Sequence, residues 1–254
     1  MATAAALRIQ IESAMANRLP AALTPRAHTL RKCYGTGVAA VDALLDGGFP
    51  VGATTELAGP RSSGRTSLAL AAVAERTAAS QVCAWVDASD ALDPQSAAAS
   101  GVRLERLLWV RCSDAHAVAK PTEKKCWALL DQALKSTDLL LQNGGFATLM
   151  LDLGDIDPAA AMRIPLASWF RFRQAADRTR TTLVVLARQA CAQSSAALVI
   201  DCAAMRIEVE GGTVITAARW QMSRRRERFE RVDLRRPVDK LWQLDAAWAV
   251  GKTA

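Results

Sequence analysis

The stretch Leu57–Ala71, "LAGPRSSGRTSLALA", comes within one residue of the phosphate-loop pattern G-x-x-x-x-G-K-[ST]. Gly59, Gly64 and Thr66 stand where the pattern asks for them, and Arg65 takes the place of the lysine. An apolar run ends just before Gly59 and strong helix formers follow Thr66, so the loop is expected between a strand and a helix. In that setting successive backbone N–H groups and the helix N-terminus both attract an anion. The candidate anion-contacting residues are Gly59, Pro60, Arg61, Ser62, Ser63, Gly64, Arg65, Thr66 and Ser67. The guanidinium of Arg65 is a planar fork, not the compact point charge of an ammonium group.

Working outward, strands and helices alternate. "VAAVDALLDGG" (38–48) reads as a short helix closed by glycine, "TTELAG" (54–59) as a strand and "RTSLALAAVAERTAA" (65–79) as a helix. Further strands are expected at 81–88, 107–113, 146–155 and 181–189, with helices at 93–101, 126–136 and 164–180. Short apolar runs spaced by helices predict parallel strands buried on both faces. Beyond Leu198 the pattern changes to adjoining strands, with a Gly-Gly turn at 211–212 and a last strand at "RFERVDL" (228–234). The fold class expected is α/β, with a mixed, largely parallel sheet, an N-terminal helix and a basic C-terminal extension. The boundaries fall at 1–35, 36–218 and 219–254.

In the first segment Leu7, Ile11, Met15 and Leu19 share a helical stripe, which needs cover from its own core or from a neighbouring subunit. Prolines 20 and 25 mark a linker after it. The net charge of +7 is concentrated at the other end, where residues 219–254 hold ten Lys/Arg against five acids. Arg219, Arg224, Arg225, Arg226, Arg228, Arg231, Arg235 and Arg236 are the candidate contacts there. They suit DNA phosphates, with Trp220 or Phe229 free to stack on a base, or an acidic protein, or a solvated edge strand blunted by charge. The six cysteines form no C-x-x-C pair and no zinc-type spacing with the two histidines. No apolar run is long enough to cross a membrane, and no basic-then-apolar leader is seen. A reduced, cytoplasmic protein is expected.

The residues around the loop resemble the RecA core. "GTGVAAVDALLDGGFPVGATTELAGPRSSGRTSLAL" (35–70) and "VCAWVDASDALDPQSAAASGVRLERLLWV" (82–110) follow that family's pattern without gaps. The likeness continues more weakly through "TLMLDLGD" and "TLVVLARQ". It implies a P-loop ATPase core with ATP and magnesium as cofactors. Transferred position by position, it places the family's magnesium ligands at Thr66 and Asp152. Asp93 falls on the adenine-contacting aspartate and Gln189 on the γ-phosphate-sensing glutamine. The catalytic glutamate is replaced by Ser89, followed by Asp90, and the base-stacking aromatic by Ser96. Hydrolysis needs charge neutralisation and an oriented water together, so the resemblance implies weakened nucleotide chemistry. Only "GDIDPAAAMR" follows Asp152 and only "ACAQSSAA" separates Gln189 from Leu198, so the family's DNA-holding loops are short.

This combination most resembles the ImuA group of RecA-like accessory proteins found in bacterial mutagenesis cassettes. That likeness implies damage-induced, SOS-type translesion synthesis. The implied partners are an ImuB-like inactive Y-family polymerase homologue, an error-prone polymerase, RecA and single-stranded DNA, with homo-oligomers a further option. Two other readings are an ATP-dependent recombinase paralogue and an inhibitor that caps RecA filaments.

Overall fold

A computed structural model of the protein describes residues 32–112, 123–203, 206–210, 214–227 and 240–244. The expected N-terminal helix, the strand at 228–234, Phe229 and Arg228, Arg231, Arg235 and Arg236 lie outside the described residues.

Strand β1 (Cys33–Tyr34) leads through helix α1 (Ala39–Leu44) to β2 (Phe49–Pro50), its antiparallel partner. Then β3 (Thr54–Ala58), α2 (Arg65–Ala78), β4 (Cys83–Asp87), α3 (Pro94–Ala99), β5 (Leu107–Arg111) and α4 (Glu123–Asn143) alternate. Strand β6 (Thr148–Asp152), α5 (Pro158–Met162), α6 (Leu166–Thr179), β7 (Thr182–Ala187) and β8 (Leu198–Cys202) complete the parallel part. Strands β9 (Arg206–Glu210), β10 (Val214–Glu227) and β11 (Lys240–Leu244) are antiparallel. The large sheet runs β11-β10-β8-β3-β7-β6-β4-β5, with β9 on β10.

The parallel strands read as nearly continuous apolar runs because helices cover both faces. In β7, Val184 and Leu186 join one cluster with Leu57, Leu68, Val73 and Trp85. Leu183 and Val185 face the other way, into a cluster with Leu130, Trp169 and Phe172. The two aromatics of α6 meet edge to face at 5.8 Å, a favoured arrangement of their quadrupoles.

Two departures from the sequence reading have local causes. Helix α4 reaches Asn143, well past the expected end at 136, because helix-compatible residues continue until Gly144 and Gly145, both at positive φ. Strand β10 crosses the 218/219 boundary without a break. Its first half pairs with β9 and its second half with β8, so the start of the basic segment is part of the main sheet.

Candidate nucleotide site

The loop after β3 is shaped by close approaches. A Cβ on Gly59 would lie 2.2 Å from the Cys202 carbonyl oxygen, which no larger residue could tolerate. Its N–H donates to the Ala187 carbonyl at 3.1 Å, tying the loop's first residue to the end of β7. Gly64 adopts φ +81° as the N-cap of α2, a left-handed conformation that favours glycine. Ser63 is 1% exposed, and its Oγ has no hydrogen-bond partner. Arg61, Ser62, Ser63, Gly64, Arg65, Thr66 and Ser67 all line a cleft of about 720 Å³ with Leu70, Leu92, Asp93, Ser96, Asp152 and Trp220.

Arg65 turns inward from the first turn of α2 and is 6% exposed. Its Nη1 donates to the carbonyls of Gly59 and, at 3.1 Å, Ala187, while Nη2 donates to that of Gly154 at 3.1 Å. One cation thereby joins the carboxyl ends of β3, β7 and β6. A Cβ at position 154 would lie 2.7 Å from Nη2 of Arg65 and 3.0 Å from Oδ1 of Asp152, so the guanidinium and the carboxylate both close on this glycine. Burial lowers the Arg65 pKa, opposed by the charges of Asp152 and Asp155. Asp152 ends β6 with Oδ1 accepting from the Gly154 N–H at 2.8 Å. Burial pushes its carboxyl up to about 6, with the Gly154 N–H and Arg65 pulling the other way.

The candidates at the end of β4 are held by other partners. The Asp87 carboxylate accepts from the N–H groups of Ser89, Ala91 and Leu92, at 3.2, 3.0 and 2.8 Å, and from Trp109 Nε1 at 3.3 Å. This folds residues 88–92 into a tight turn in which Asp90 sits at φ +56°. Arg111 takes Asp90 with Nε at 2.6 Å and Nη2 at 2.5 Å, and its guanidinium also lies over the Trp109 ring. The pair holds the Asp90 carboxyl below the usual carboxylate range. Neither Ser89 nor Asp90 lines the cleft. Asp93 does, but its carboxylate caps α3, accepting from Gln95 N at 3.2 Å, Ser96 N at 3.0 Å and Ser96 Oγ at 2.5 Å. Those bonds, led by the Ser96 hydroxyl, lower its pKa.

Gln189 belongs to a second cleft of about 470 Å³, with Gly59, Pro60, Met162, Arg188, Asp201 and Arg225. The structure thus brings Thr66, Asp93 and Asp152 together around the loop and places Gln189 on its far side. Thr66 and Asp152 both line the first cleft. The loop N–H groups and the N-terminus of α2 have the polarity that suits an anion, and at the strand ends beyond them Arg65 is bonded to three carbonyls.

Several residues that shape the site were given another role, or none, in the sequence reading. Trp220, considered there as a base-stacking side chain, is 9% exposed and donates from Nε1 to the Ser62 carbonyl at 3.2 Å. Its neighbour in alternation, Met222, is fully buried. The spacing "WQM" was the available clue, because two apolar residues at period two mark the inner face of a strand. Glu56, inside β3 and 1% exposed, accepts from the N–H groups of Cys191 at 2.7 Å and Ala192 at 2.8 Å, anchoring the loop after Gln189. Asp155 gathers Arg61 at 2.7 Å and Arg188 at 3.5 Å. Two of the candidate contact arginines are ion-paired within the chain: Arg224 with Asp46 at 3.1 Å and Arg225 with Asp201 at 2.5 Å. Arg219 and Arg226 lie on β10.

This geometry can be set beside known proteins. The family description "RecA N-terminal domain" matches residues 4–153. Protein RecA of Crocosphaera subtropica is 43% identical over 102 residues, 40% of this chain and 27% of that one. Protein RecA of Corynebacterium jeikeium is 38% identical over 122 residues, 48% of this chain and 28% of that one. For protein RecA of Ruegeria pomeroyi the figures are 38% over 118 residues, 46% and 30%. The aligned region thus spans less than a third of each of these relatives. The crystal structure of the RadB recombinase superposes with a TM-score of 0.56 over 84% of this chain and 95% of that one, at 18% identity, a likeness of fold. With more than half of its residues matched by the family's own sequence model, the chain belongs to the RecA N-terminal domain family.

Proposed function

We propose that this protein is a RecA-like accessory factor of the ImuA type, acting in damage-induced, error-prone translesion synthesis by binding partners without turning over ATP. The observation that carries the reading is Arg65. Its guanidinium donates to three main-chain carbonyls and lies buried among strand ends. In a competent loop the lysine ammonium stays available to the phosphates. The position of the family's catalytic glutamate supports the same conclusion: Ser89 stands there, and Asp90 beside it is engaged by Arg111. Phosphoryl transfer requires those parts together. On this reading ATP and magnesium bind weakly if at all. The partners are an ImuB-like inactive polymerase homologue, an error-prone polymerase, RecA and single-stranded DNA, met in the cytoplasm. With Arg224 and Arg225 already ion-paired, DNA contact draws on fewer free arginines than the sequence contains.

The test pairs two measurements on the full chain. Steady-state phosphate release, with and without single-stranded DNA, should stay at background. Turnover of about 1–100 s⁻¹ would instead assign an ATP-dependent recombinase paralogue. A pull-down from damage-treated cells should recover the polymerase-type partners, whereas recovery of RecA alone would favour a filament-capping inhibitor.

A further inference from the structure

Helix α6 carries apolar side chains on two faces, and the core takes up only one of them. Trp169, Phe172, Ala175 and Ala176 point inward and are buried. Leu166 and Phe170 are 48% and 50% exposed. Four residues apart on one helix, they lie one above the other on the same face. Met162, also exposed at the end of α5, precedes Leu166 by another four residues across the turn that joins the two helices. Single exposed apolar side chains are common, but neighbours on one face form a patch, and patches mark contact surfaces. Neither Leu166 nor Phe170 lines either cleft, so this surface stands apart from the phosphate loop.

The surroundings of the patch are basic. Residues 158–180 contain Arg163, Arg171, Arg173, Arg178 and Arg180 against a single acid, Asp177, and all five arginines are exposed. Arg171 and Arg178 turn towards α4, where Arg171 pairs with Asp138 at 3.0 Å and Arg178 donates to the Gln142 side chain. Arg163 also reaches α4, with its guanidinium 6.0 Å from the centre of the Trp127 ring. Arg173 stays with the patch. Three residues after Phe170, it places its guanidinium 5.9 Å from the centre of that ring, and it pairs with no acid among the described residues.

A nucleic-acid platform offers open aromatic faces to successive bases. Here Arg173 lies over the Phe170 ring, and the next member of the row, Leu166, has no π-face. A wholly apolar partner would bury the Arg173 charge without a counterion, which is costly. An apolar row beside a guanidinium is matched by a helix that carries its own apolar row beside carboxylates. Such a helix meets Leu166 and Phe170 at i, i+4 spacing and Arg173 through charge-assisted hydrogen bonds. We infer, deepening the partner-binding reading proposed above, that the outer face of α6 around Leu166 and Phe170 docks an acidic amphipathic helix of a protein partner. Phe170 is the anchor, and Arg173 selects the partner's charge.

Fluorescence anisotropy on the full chain tests this with a labelled peptide of about 18 residues, or five helical turns, with Leu and Phe in an i, i+3, i+4, i+7 row and Ala and Glu elsewhere. One counterpart carries Lys for Glu, a second carries Ser for the apolar row, and a labelled thymidine oligonucleotide is the third probe. The Glu peptide should bind saturably, one per chain, and at least about tenfold more tightly than either counterpart. Phe170→Ala should weaken it at least about tenfold, the loss expected of an aromatic anchor, and leave oligonucleotide binding as it was. Arg173→Glu should weaken it by about fivefold, flatten its salt dependence and favour the Lys peptide. Leu139→Ala, which removes an exposed apolar side chain of α4, should change nothing. Circular dichroism checks that each variant is folded. No binding of the Glu peptide, equal binding of the Lys peptide, or indifference to Phe170→Ala overturns this inference and leaves the accessory role standing. An oligonucleotide affinity that falls with Phe170→Ala assigns the face to nucleic acid and overturns it as well. Phosphate release in the turnover assay sinks the accessory role, while the peptide result still decides the surface.

Discussion

Replacing Gly64 by alanine probes the loop and the strand that braces it at once. At φ +81° an alanine is held in a left-handed conformation, which costs about 1–2 kcal/mol. Its Cβ would also lie 2.7 Å from Cδ1 and Cγ of Trp220 and 2.9 Å from Cδ2. The indole cannot yield freely, because it is 9% exposed and its Nε1 is bonded to the Ser62 carbonyl. Forcing extra volume into such packing costs a further 1–3 kcal/mol or so. The expected total for Gly64→Ala is about 2–5 kcal/mol. Trp220→Ala alone should cost about 3 kcal/mol, the low end for a large aromatic because one edge faces the cleft. In the Trp220→Ala background the steric part disappears, and Gly64→Ala should cost only about 1–2 kcal/mol. The double-mutant cycle therefore carries a coupling of about 2 kcal/mol. Guanidinium denaturation followed by circular dichroism measures it, with midpoints compared at constant slope. Costs that add to within about 0.5 kcal/mol would refute the seating of Trp220 on the loop.

Three further outcomes follow from the same geometry. Asp152 has a folded-state pKa of about 6, above its usual value near 4, so its contribution to stability is fully present below about pH 4 and lost as pH rises through 6. Asp152→Asn keeps an acceptor for the Gly154 N–H and should flatten that pH dependence, by on the order of 3 kcal/mol between the two limits; an unchanged profile would place the titration elsewhere. Glu56→Ala leaves the N–H groups of Cys191 and Ala192 without their acceptor and should cost about 3 kcal/mol, with those two loop amides exchanging faster than in the unaltered protein. Equal protection in both proteins would mean that the carboxylate does not hold the loop. Arg111→Ala should raise the Asp90 pKa towards the ordinary carboxylate value, read by carboxyl NMR titration, without creating phosphate release; no shift would show that the pair does not set it.

How much of this could be read from the chain alone differs between scaffold and site. The parallel strands were legible because a strand covered on both faces must be apolar throughout, and "TLVVLA" in β7 is buried at every position. The phosphate loop was legible because its turn is a local matter: Gly59 and Gly64 shape it within a few residues of one another. The likeness to RecA extended the same reading along the strands and loops that follow. Even the loss of the lysine and the glutamate could be seen as letters at Arg65 and Ser89.

What became of those letters was decided by partners far along the chain. The Gly154 and Ala187 carbonyls that hold Arg65 are 89 and 122 residues away, and the Ser62 carbonyl that receives Trp220 is 158 residues from it. Arg111 reaches Asp90 only because β5 lies beside β4. The basic segment looked like an appendage by composition, yet β10 enters the sheet between β8 and β11 and brings Trp220 to the loop. Hydrophobic period and turn chemistry act over one or two turns of chain, so the sequence alone determined the framework. A buried cation takes whichever acceptors the folded sheet brings within about 3 Å, and those are set by strand order, which belongs to the tertiary structure.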